Sequence, residues 1–476
     1  MNDYSKKFLP KKSRGLPGWY NRVVQLAELA DYGPAKGTMI FRPYGYAIWE
    51  LIQKEIDSQI KEKGVENAYF PMFIPESLLA KEKKHVEGFS PELAVVTIGG
   101  GEELKERLVV RPTSETIMYE AYAKWVQSWR DLPILINQWN NVVRWEKRTY
   151  LFLRTSEFLW QEGHTAHATH DEAWEMTRWA MNMYTQVYRD IFAIPGYVGR
   201  KSESEKFAGA DVTLTYESLM PEGKALQSCT SHDLGQNFSK VFDIKFQNRA
   251  GETEYVWQTS WGLSTRSIGA LIMIHGDDAG LRLPPKLAPV QVIILPVDTD
   301  SEKLIGFSKE ILLKLESRGV RAKIDCLEGE RLGFRINKWE LKGVPLRIEV
   351  GEDELRDKTV TAVRRDSGEK IKIADLSQIS RVLEEIQESL LTEASELLNK
   401  RTLGVEKYSE FKQIMESRDK GFISAWWCED SNCEAKIKEE TKATIRCLPM
   451  DASKDGGSCI YCNKQASYKW LFAQAY

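Results

Sequence analysis

The sequence predicts a multidomain α+β protein, and three observations lead to this prediction. Its 476 residues correspond to about three domains at roughly 150 residues per domain. Antiparallel strands and long helices are predicted up to residue 287, and short apolar strands alternating with helices follow up to residue 402. Five of the seven cysteines lie beyond residue 427. We therefore expect an antiparallel-sheet domain over residues 1–287, an α/β domain over residues 288–402 and a small cysteine-bearing domain over residues 403–476.

The composition is that of an ordinary globular protein, with 42% apolar and 28% charged residues. No apolar run approaches the roughly 20 residues of a membrane helix, and the N-terminus lacks the apolar stretch of a secretory signal. We therefore expect a cytoplasmic protein without membrane contact. The net charge of −3 gives no overall attraction to nucleic acid, so an RNA-binding surface would have to be local.

The elements of the first domain follow from periodicity and turn residues. A long helix is predicted over residues 46–64, because apolar residues recur at helical spacing and Gly64 provides a stop. The glycines at 99–101 are expected at a hairpin tip. A helix capped by Thr113 or Ser114 is expected after the turn at Pro112, since Ser or Thr followed by Glu is capping chemistry.

Further strands complete this domain. Two strands joined by a loop are predicted in NVVRWEKR and FLRTSEFLWQEGHTAHA, and a long helix begins at His170. The next strands are expected in GADVTLTYESL, KALQSCTSHDLG and TEYVWQTSWG, and a helix that contains Arg266 closes the domain.

In the second domain the strands VQVIILPV, VRAKID and VPLRIEVG alternate with helices near residues 301–318 and 334–343. Cys326 is expected in a strand. A long amphipathic helix follows, and its predicted buried face consists of Ile379, Val382, Leu383, Ile386, Leu390 and Leu397.

Two arginines indicate a functional site. Arg266 lies in the apolar stretch WGLSTRSIGALIMIHG, and a guanidinium buried without a partner is very costly. Alternation along a strand would place Arg144 and Glu146 on one face, with Arg148 and Arg154 close behind them. This set suits a polyphosphate, unless each arginine pairs with a buried carboxylate. The chain has no G-x-x-x-x-G-K-[ST] loop and no G-x-G-x-x-G after a strand, so a nucleotide site would have to be built by arginines on an antiparallel sheet.

These features resemble the class II aminoacyl-tRNA synthetases. IWELIQKEIDSQIKEKGVENAYFPMFIP resembles their motif 1, VVRWE with FLRTSEF resembles motif 2, and GLSTRSIGALIM resembles motif 3. RPTSE, FLWQEGHTAHAT and CTSHDLGQNFSK are similar to pocket segments of the archaeal and eukaryotic type of prolyl-tRNA synthetase, and the resemblance covers essentially the whole chain. It implies an antiparallel class II catalytic domain, an α/β anticodon-binding domain, a zinc-binding C-terminal domain and a homodimer joined through motif 1.

The resemblance implies that proline is activated with ATP to prolyl-adenylate and pyrophosphate, and is then transferred to the 3′ end of tRNA(Pro). Arg144 would contact the α-phosphate and the proline carboxylate, Arg266 would contact the γ-phosphate, and Mg²⁺ is expected with the phosphates. The other positions that match nucleotide contacts are Glu146, Phe152, Arg154, Thr155, Gln227, Thr230 and Ser264. Those that match the proline pocket are Thr113, Glu115, Phe158, Trp160, Glu162, His164 and His232.

The resemblance also marks positions outside the catalytic centre. Glu340 and Arg347 match positions that would meet anticodon guanines, because Arg and Glu read the edges of unpaired bases. The nearby Lys338 and Lys342 are either further base contacts or a solvated charged face. The last residue, Tyr476, matches a tyrosine whose carboxylate folds back towards the active site.

The cysteine spacing predicts a structural zinc site. Cys428-x4-Cys433 and Cys459-x2-Cys462 form two short-spaced pairs, which is typical of a closed tetrahedral site. The alternative is four packed free thiols, and Cys447 is either a core residue or a competing ligand. The histidine-rich region offers candidate ligands for a second, catalytic zinc, namely His164, His167, His170, Cys229 and His232. Their spacing is not that of a closed ligand set. The alternative is that these histidines are hydrogen-bonded within the fold.

Two other functions stay open. One is a class II synthetase for a different amino acid, against which Glu115, Trp160 and His232 argue. The other is a synthetase-like RNA-binding protein that does not charge tRNA, against which the presence of both arginines argues. The segment between motifs 2 and 3 is too short for a large editing insertion, so we expect some activation of alanine or cysteine.

Overall fold

The first part of the chain consists of a large antiparallel sheet and the helices packed on it. The computed structural model describes residues 9–81, 93–327 and 329–476. The helices of this part are α1 (Leu16–Leu26), α2 (Pro43–Glu62), α3 (Glu76–Ala80), α4 (Glu115–Trp125), α5 (His170–Gln186), α6 (Asn237–Phe242) and α7 (Arg266–His275). Its strands are β1 (Ala30–Tyr32), β2 (Met39–Phe41), β3 (Glu66–Asn67), β4 (Phe73–Pro75), β5 (Ala94–Gly99), β6 (Glu102–Val110), β7 (Ile134–Val143), β8 (Glu157–His167), β9 (Gly196–Arg200), β10 (Val212–Leu219), β11 (Ala225–Gly235), β12 (Lys245–Gln247), β13 (Thr253–Tyr255) and β14 (Trp257–Ser264).

The second part is a separate α/β unit, as the sequence predicts. Its strands are β15 (Val292–Pro296), β16 (Ala322–Ile324), β17 (Leu346–Val350), β18 (Val360–Arg364) and β19 (Lys370–Ile373), and its helices are α8 (Glu302–Glu316), α9 (Leu332–Leu341), α10 (Glu352–Asp357) and α11 (Gln378–Lys400). The sheet order is β16-β15-β17-β18-β19. β15 pairs in parallel with both neighbours, whereas β18 and β19 are antiparallel additions that the sequence pattern did not reveal.

The C-terminal part extends the sheet of the first part. It contains β20 (Thr402–Gly404), β21 (Phe422–Trp427), β22 (Ala443–Pro449), β23 (Gly457–Ser458), β24 (Gln465–Ala466) and β25 (Tyr468–Gln474), with helices α12 (Tyr408–Glu416) and α13 (Ser431–Thr441). The sheet order is β20-β21-β25-β22-β9-β10-β11-β14-β8-β7-β3. The junction is the pairing of β22 with β9, where Leu448 lies opposite Arg200. The domain boundaries at residues 287 and 402 remain predictions.

Local sequence explains the best-predicted elements. α2 begins with Pro43, whose fixed φ suits a first helical turn, and Gly64 with φ +86° follows its end. The hairpin tip between β5 and β6 holds Gly100 and Gly101, both with positive φ. The face that α2 buries is apolar at helical spacing, and it contains Ile48, Ile52, Ile56 and Ile60.

The predicted strand position of Arg144 and Glu146 is wrong in detail. β7 ends at Val143, so both residues follow the strand. The backbone N–H of Arg144 still donates to the carbonyl of Ser156 at 2.8 Å, and the chain then enters the loop. Both side chains nevertheless line the same cavity, as described below.

The predicted helix cap at α4 is also wrong. Ser114 occupies the N-cap position but makes no side-chain capping bond. Its hydroxyl donates instead to the buried carboxylate of Glu162 on β8. A tertiary hydrogen bond to a buried charge has therefore replaced the local capping bond.

Three smaller observations complete the fold. Near the end of α11 the buried leucine is Leu398 and Leu397 is only half-buried, because Leu398 follows the buried Ala394 by four residues and so shares its face. Cys326 lies beyond the end of β16 and is exposed, so its predicted strand position is wrong. In the described ranges, a helix with the length and apolar character of a membrane span is not found.

Candidate active site

Two adjoining cavities lie against β8, β11 and β14. The larger has a volume of about 220 Å³ and the smaller of about 180 Å³. Four residues line both cavities, namely Arg144, Phe158, Ser264 and Arg266. The two cavities therefore meet at the two arginines that the sequence singled out.

All residues predicted to contact proline or ATP line one of these cavities. The larger is lined by Thr113, Glu115, Arg144, Phe158, Trp160, Glu162, His164, Gln227, Thr230, His232, Ser264 and Arg266. The smaller is lined by Arg144, Glu146, Phe152, Arg154, Thr155, Phe158, Ser264 and Arg266. The structure thus brings together side chains from residues 113 to 266, and their individual contact roles remain predictions.

Arg266 is the first residue of α7, where the positive end of the helix dipole favours an anion. Its Nε donates to the carbonyl of Leu153 at 3.1 Å, which fixes the guanidinium at the cavity wall. Burial, followed by the positive charges of Arg144 and Arg154, lowers its pKa. Within the described ranges no carboxylate oxygen lies within 4.0 Å of this guanidinium. The arginine is therefore held in place by a carbonyl and is available to an anionic ligand.

Arg144 is held by a similar arrangement on the other side of the junction. Its Nε donates to the carbonyl of Pro112 at 3.1 Å. Its guanidinium carbon lies 5.6 Å from the ring centroids of both Phe158 and Trp160, which is a cation–π distance. The aromatic walls thus orient the arginine as well as enclosing the pocket.

The smaller cavity carries an excess of positive charge. Three of its lining residues are arginines, and Glu146 is its one carboxylate. Arg154 Nε lies 3.2 Å from Glu146 Oε1, and its side chain is 57% exposed. Three cations against one anion in a confined space match a polyanionic ligand such as a nucleotide triphosphate.

The larger cavity is also lined by carboxylates. Glu162 is fully buried and accepts hydrogen bonds from five donors, which are the Ser114 N–H at 3.2 Å, the Ser114 hydroxyl, Gln138 Nε2 at 3.1 Å, Asn140 Nδ2 at 2.6 Å and His164 Nε2 at 3.0 Å. A carboxylate offers about four acceptor sites, so this one is fully occupied. Burial alone would raise the pKa of Glu162, but the hydrogen bonds outweigh burial and lower it.

Glu115 keeps acceptor capacity that Glu162 lacks. It lines the cavity, and among the described residues only the Thr113 hydroxyl donates to its carboxylate. The charges of Glu115 and Glu162 act on His164. Burial opposes protonation of His164, but the hydrogen bond to Glu162 and both carboxylate charges raise its pKa above the ordinary 6.5. With two carboxylates beside a single imidazole, the negative charge is not fully compensated in either protonation state of the ring, which suits a substrate ammonium.

Next to the predicted pocket residue His232, the cavity wall contains Phe207, which the sequence analysis missed. The ring of Phe207 lies 4.7 Å from that of His232, and His232 Nδ1 lies 2.9 Å from the hydroxyl of Thr213. Burial, with the charge of His164, lowers the pKa of His232 to about 3, so this ring is neutral at physiological pH. Phe207 and the cavity-lining Glu205 lie in an irregular segment between β9 and β10, where neither periodicity nor a motif could mark them. The other lining residues missed were Thr213, Ser228, Cys229, Ser260, Trp261, Gly262 and Leu263.

Among the described residues, the five candidate ligands of a catalytic zinc do not come together in one group. In the part of the chain that the structure describes, only two groups could hold a metal, namely Glu115 with Glu162 and His164, and the four C-terminal cysteines. His167 Nε2 lies 2.8 Å from the Thr165 hydroxyl. The ring of His170 pairs with the carboxylate of Asp233 at 2.7 Å. These histidines are therefore hydrogen-bonded within the fold.

The four predicted zinc ligands come together in the C-terminal part. The thiol sulfurs of Cys428, Cys433, Cys459 and Cys462 all lie within 4.8 Å of one another. Cys428 Sγ lies 3.7 Å from Cys433 Sγ and 3.6 Å from Cys462 Sγ. A tetrahedral ZnS₄ centre with Zn–S bonds of about 2.3 Å has sulfurs about 3.8 Å apart, so these residues fit zinc. Cys447 is buried outside this group, in a core with Phe422 and Leu471.

The predicted anticodon residues line a third cavity of about 360 Å³ on the α/β unit. Arg347 NH1 lies 2.9 Å from Glu340 Oε1. The neighbouring lysines are not a solvated charged face. Lys338 pairs with Asp325 at 3.0 Å, and Lys342 pairs with Glu28 of the first part of the chain.

The chain terminus is ordered against the catalytic sheet. Tyr476 N–H donates to the carbonyl of Ala225 at 3.0 Å, at the start of β11. This strand also carries Gln227 and Thr230 of the larger cavity. The C-terminus therefore lies against an active-site strand.

Comparison with known proteins identifies all three parts. The class II tRNA synthetase core domain of the G, H, P, S and T enzymes matches residues 96–275. An anticodon-binding domain matches residues 291–388, and the prolyl-tRNA synthetase C-terminal domain matches residues 408–476.

Curated relatives and solved structures match over nearly the full length. The proline–tRNA ligase of Chlorobium chlorochromatii is 50% identical over 98% of this chain and 99% of its own, and that of Natranaerobius thermophilus is 48% identical over 100% and 99%. A crystal structure of Cryptosporidium parvum prolyl-tRNA synthetase with halofuginone and AMPPNP is 44% identical, with a TM-score of 0.93 over 98% of this chain and 99% of that one. Another, with L-proline and AMP, is 43% identical, with a TM-score of 0.93 over 98% and 96%. Because its relatives match over nearly the full length and three family domains match along it, the chain belongs to the prolyl-tRNA synthetase family of class II aminoacyl-tRNA synthetases.

Proposed function

We propose that this chain is a proline–tRNA ligase. It activates L-proline with ATP to prolyl-adenylate and pyrophosphate, and it then transfers the prolyl group to the 3′ end of tRNA(Pro). The observation that carries the proposal is the junction of a cationic cavity and an anionic cavity at Arg144 and Arg266. Two crystal structures of one family member, the first with halofuginone and the ATP analogue AMPPNP and the second with L-proline and AMP, support the choice of substrates.

The charges of the larger cavity complement those of a proline zwitterion. Glu115 accepts from the ammonium, because Glu162 is already occupied by its five donors. Arg144 lines the same cavity and pairs with the carboxylate. Phe158 and Trp160 border a slot for the saturated ring, and their rings are perpendicular at 6.0 Å. The pocket thus recognises both charged ends and the apolar body of the amino acid.

The first reaction step needs positioning more than proton transfer. The proline carboxylate is already ionised, so one of its oxygens attacks the α-phosphorus while the bond from that phosphorus to the pyrophosphate oxygen breaks. Arg144 binds the α-phosphate, and Arg266 binds the γ-phosphate at the start of α7. Both guanidiniums are held by backbone carbonyls before substrate arrives, and such preorganised charge lowers the barrier.

The second step transfers the activated amino acid to tRNA. A ribose hydroxyl at the tRNA 3′ end attacks the prolyl carbonyl, and AMP leaves. The α/β unit binds the anticodon, with Glu340 and Arg347 meeting guanine edges in the third cavity. Their mutual ion pair orients both side chains towards a common ligand.

Two metal ions complete the proposal. Glu146 and Gln227 carry oxygen donors of the type that Mg²⁺ takes and would hold this ion, which would neutralise part of the charge of the ATP phosphates. Zn²⁺ is held by Cys428, Cys433, Cys459 and Cys462 as a closed structural site, a role supported by the sulfur spacing.

We also propose a cytoplasmic homodimer joined through motif 1. Large apolar side chains are exposed just after α2, namely Tyr69 at 71% and Phe73 at 45% exposure. Ile98 of the neighbouring hairpin is 60% exposed. Large apolar side chains exposed within motif 1, such as Tyr69 and Phe73, favour a surface that another chain covers. Light scattering is expected to give twice the chain mass of 54.6 kDa, and the single-chain mass would contradict the proposal.

ATP–pyrophosphate exchange with each amino acid separately tests the function. We expect exchange to be fastest with proline and weak with alanine and cysteine, since a small apolar difference gives only about 10–200-fold discrimination. Exchange that is fastest with another amino acid would assign the chain to a sister family. No exchange at all, with tRNA binding intact, would favour a non-catalytic role.

A further inference from the structure

The irregular segment 201–211, between β9 and β10, forms a wall of the proline pocket. Glu205 and Phe207 of this segment line the larger cavity. Phe207 N–H donates to the Thr213 hydroxyl at 3.0 Å, and the Phe207 ring contacts His232. The segment contains no helix or strand, and its internal backbone hydrogen bonds are those of turns, donated by the N–H groups of Glu205, Lys206 and Ala210. Side-chain contacts with neighbouring elements therefore also contribute to the position of this wall.

The C-terminal part supplies three contacts to this segment. Ser202 Oγ donates to Glu434 Oε1 at 3.0 Å, and Ser204 Oγ donates to Glu434 Oε2. Lys438 Nζ lies 3.6 Å from Glu205 Oε1. Glu434 and Lys438 are one turn apart on α13, so one helix face meets the segment.

The start of the segment is fixed to the C-terminal part as well. Lys201 Nζ lies 2.7 Å from Glu217 Oε1, and Arg446 Nε and NH2 donate to Glu217 Oε2 at 2.9 and 2.7 Å. All three side chains are buried. Lys201 and Arg446 share one buried carboxylate, and this cluster fixes the local geometry, because loss of Glu217 would leave two buried cations without their partner.

From these contacts we infer that α13 positions the pocket wall through Glu434. Glu434 is only 6% exposed, and each of its carboxylate oxygens accepts one serine hydroxyl from the segment. It touches neither cavity, so it is a positioning residue for proline recognition. The C-terminal part therefore contributes to amino-acid binding without contacting the amino acid. The inference rests on the proposed proline activation.

Proline-dependent ATP–pyrophosphate exchange of Glu434→Ala tests the inference. Losing two hydrogen bonds to a carboxylate frees the wall, so we expect the KM for proline to rise about tenfold. The KM for ATP and kcat should stay within about twofold of the original protein, because Arg144 and Arg266 are not displaced. Glu434→Gln should restore most of the affinity, since an amide can still bond both hydroxyls.

Matched controls separate this effect from a general loss of structure. Glu439→Ala lies on the same helix in an exposed pair with Lys436, and it should behave like the unchanged protein. The double variant Ser202→Ala and Ser204→Ala removes the same bonds from the pocket side, away from the cysteines. It should raise the KM for proline to the same degree and also speed hydrogen exchange of segment 201–211.

The outcomes distinguish the inference from the function. An unchanged KM for proline in both variants, while the original protein shows proline-dependent exchange, would overturn the inference alone. A parallel loss of kcat and of ATP affinity would overturn it too, because that pattern indicates a merely structural role. No proline-dependent exchange in the original protein would overturn the proposed function instead.

Discussion

At the residue scale, two buried carboxylates line one pocket but differ in how many hydrogen bonds they already accept. Glu162 is occupied by five donors, whereas Glu115 is bonded by Thr113 alone among the described residues. The first arrangement fixes the pocket, and the second leaves acceptor capacity for a ligand. Sequence similarity marks both residues as pocket positions, and only the hydrogen bonds separate their roles.

Glu115→Gln is expected to weaken proline binding specifically. A hydrogen bond to a charged group contributes about 1.5–3 kcal/mol, so the KM for proline should rise about 10–100-fold. The KM for ATP should not change by more than about twofold. Glu120→Gln on the same helix, whose carboxylate pairs with Lys81 and Lys124 at the surface, is the control. An equal rise in both KM values would contradict the assignment.

The His164–Glu162 pair gives a pH dependence with a definite sign. The pKa of His164 is raised above 6.5 in the folded chain, so its contribution to stability is complete below about pH 6.5 and is lost as the pH rises through the raised value. The Tm advantage of the original protein over His164→Gln should therefore be largest below about pH 6.5 and shrink as the pH rises above it. His232 and His167 have pKa values lowered by burial to about 3 and 4 and do not titrate in this range. A constant or growing advantage would contradict this account.

At the element scale, close packing of β8 and β14 shapes the proline pocket. A Cβ at Gly163 of β8 would lie 2.2 Å from two ring atoms of Trp261, which lines the larger cavity. The ring cannot approach the strand this closely if any other residue replaces the glycine. The position of the Trp261 ring in the cavity wall therefore requires glycine at position 163.

Gly163→Ala is expected to destabilise the fold by about 1–3 kcal/mol and to raise the KM for proline, because Trp261 must shift. Gly306→Ala in α8 is the control, since nothing lies within 4 Å of the added atom. That change should stabilise the helix by about 0.5–1 kcal/mol. Thermal unfolding measures the change in stability of each variant, and proline-dependent exchange measures the KM. Similar changes in stability in the two variants would argue against a packing cause.

The sequence predicted some elements better than others for physical reasons. α2 and α11 are long and have apolar residues at helical spacing, so the sequence predicted them, whereas β18 and β19 have no distinctive apolar pattern. The predicted side-chain cap at Ser114 is absent because the buried carboxylate of Glu162, far along the chain, accepts the hydrogen bond of its hydroxyl. The two arginines were identified because a charge in an apolar stretch requires a partner.

At the scale of the whole molecule, one continuous sheet joins the C-terminal part to the catalytic part. The pairing of β22 with β9 links residues more than two hundred positions apart, and local sequence carries no signal for it. The same holds for the contacts of Glu434 and Arg446 with the catalytic part. Consequently the sequence predicted the members of the site, but it missed the wall formed by Glu205 and Phe207 and the helix that supports it.

The cysteine group is expected to hold about one zinc ion per chain. Cys428→Ser should abolish zinc binding, because three thiolates leave the tetrahedral site open. Cys447→Ala should keep the metal, since its thiol lies in a separate core. Elemental analysis of purified protein measures both. Zinc retained by the first variant, or lost from a folded second variant, would contradict the assignment.

The most direct test of the central claim is proline-dependent ATP–pyrophosphate exchange in Arg266→Ala. Exchange should fall about 100-fold or more, because a preorganised charge at the phosphates is lost. Arg249→Ala, an exposed arginine stacked on Trp129 at 4.3 Å, should exchange normally. Exchange at the original rate in a folded Arg266→Ala protein would show that the arginines at the cavity junction do not bind the nucleotide, and the account of the site would be wrong.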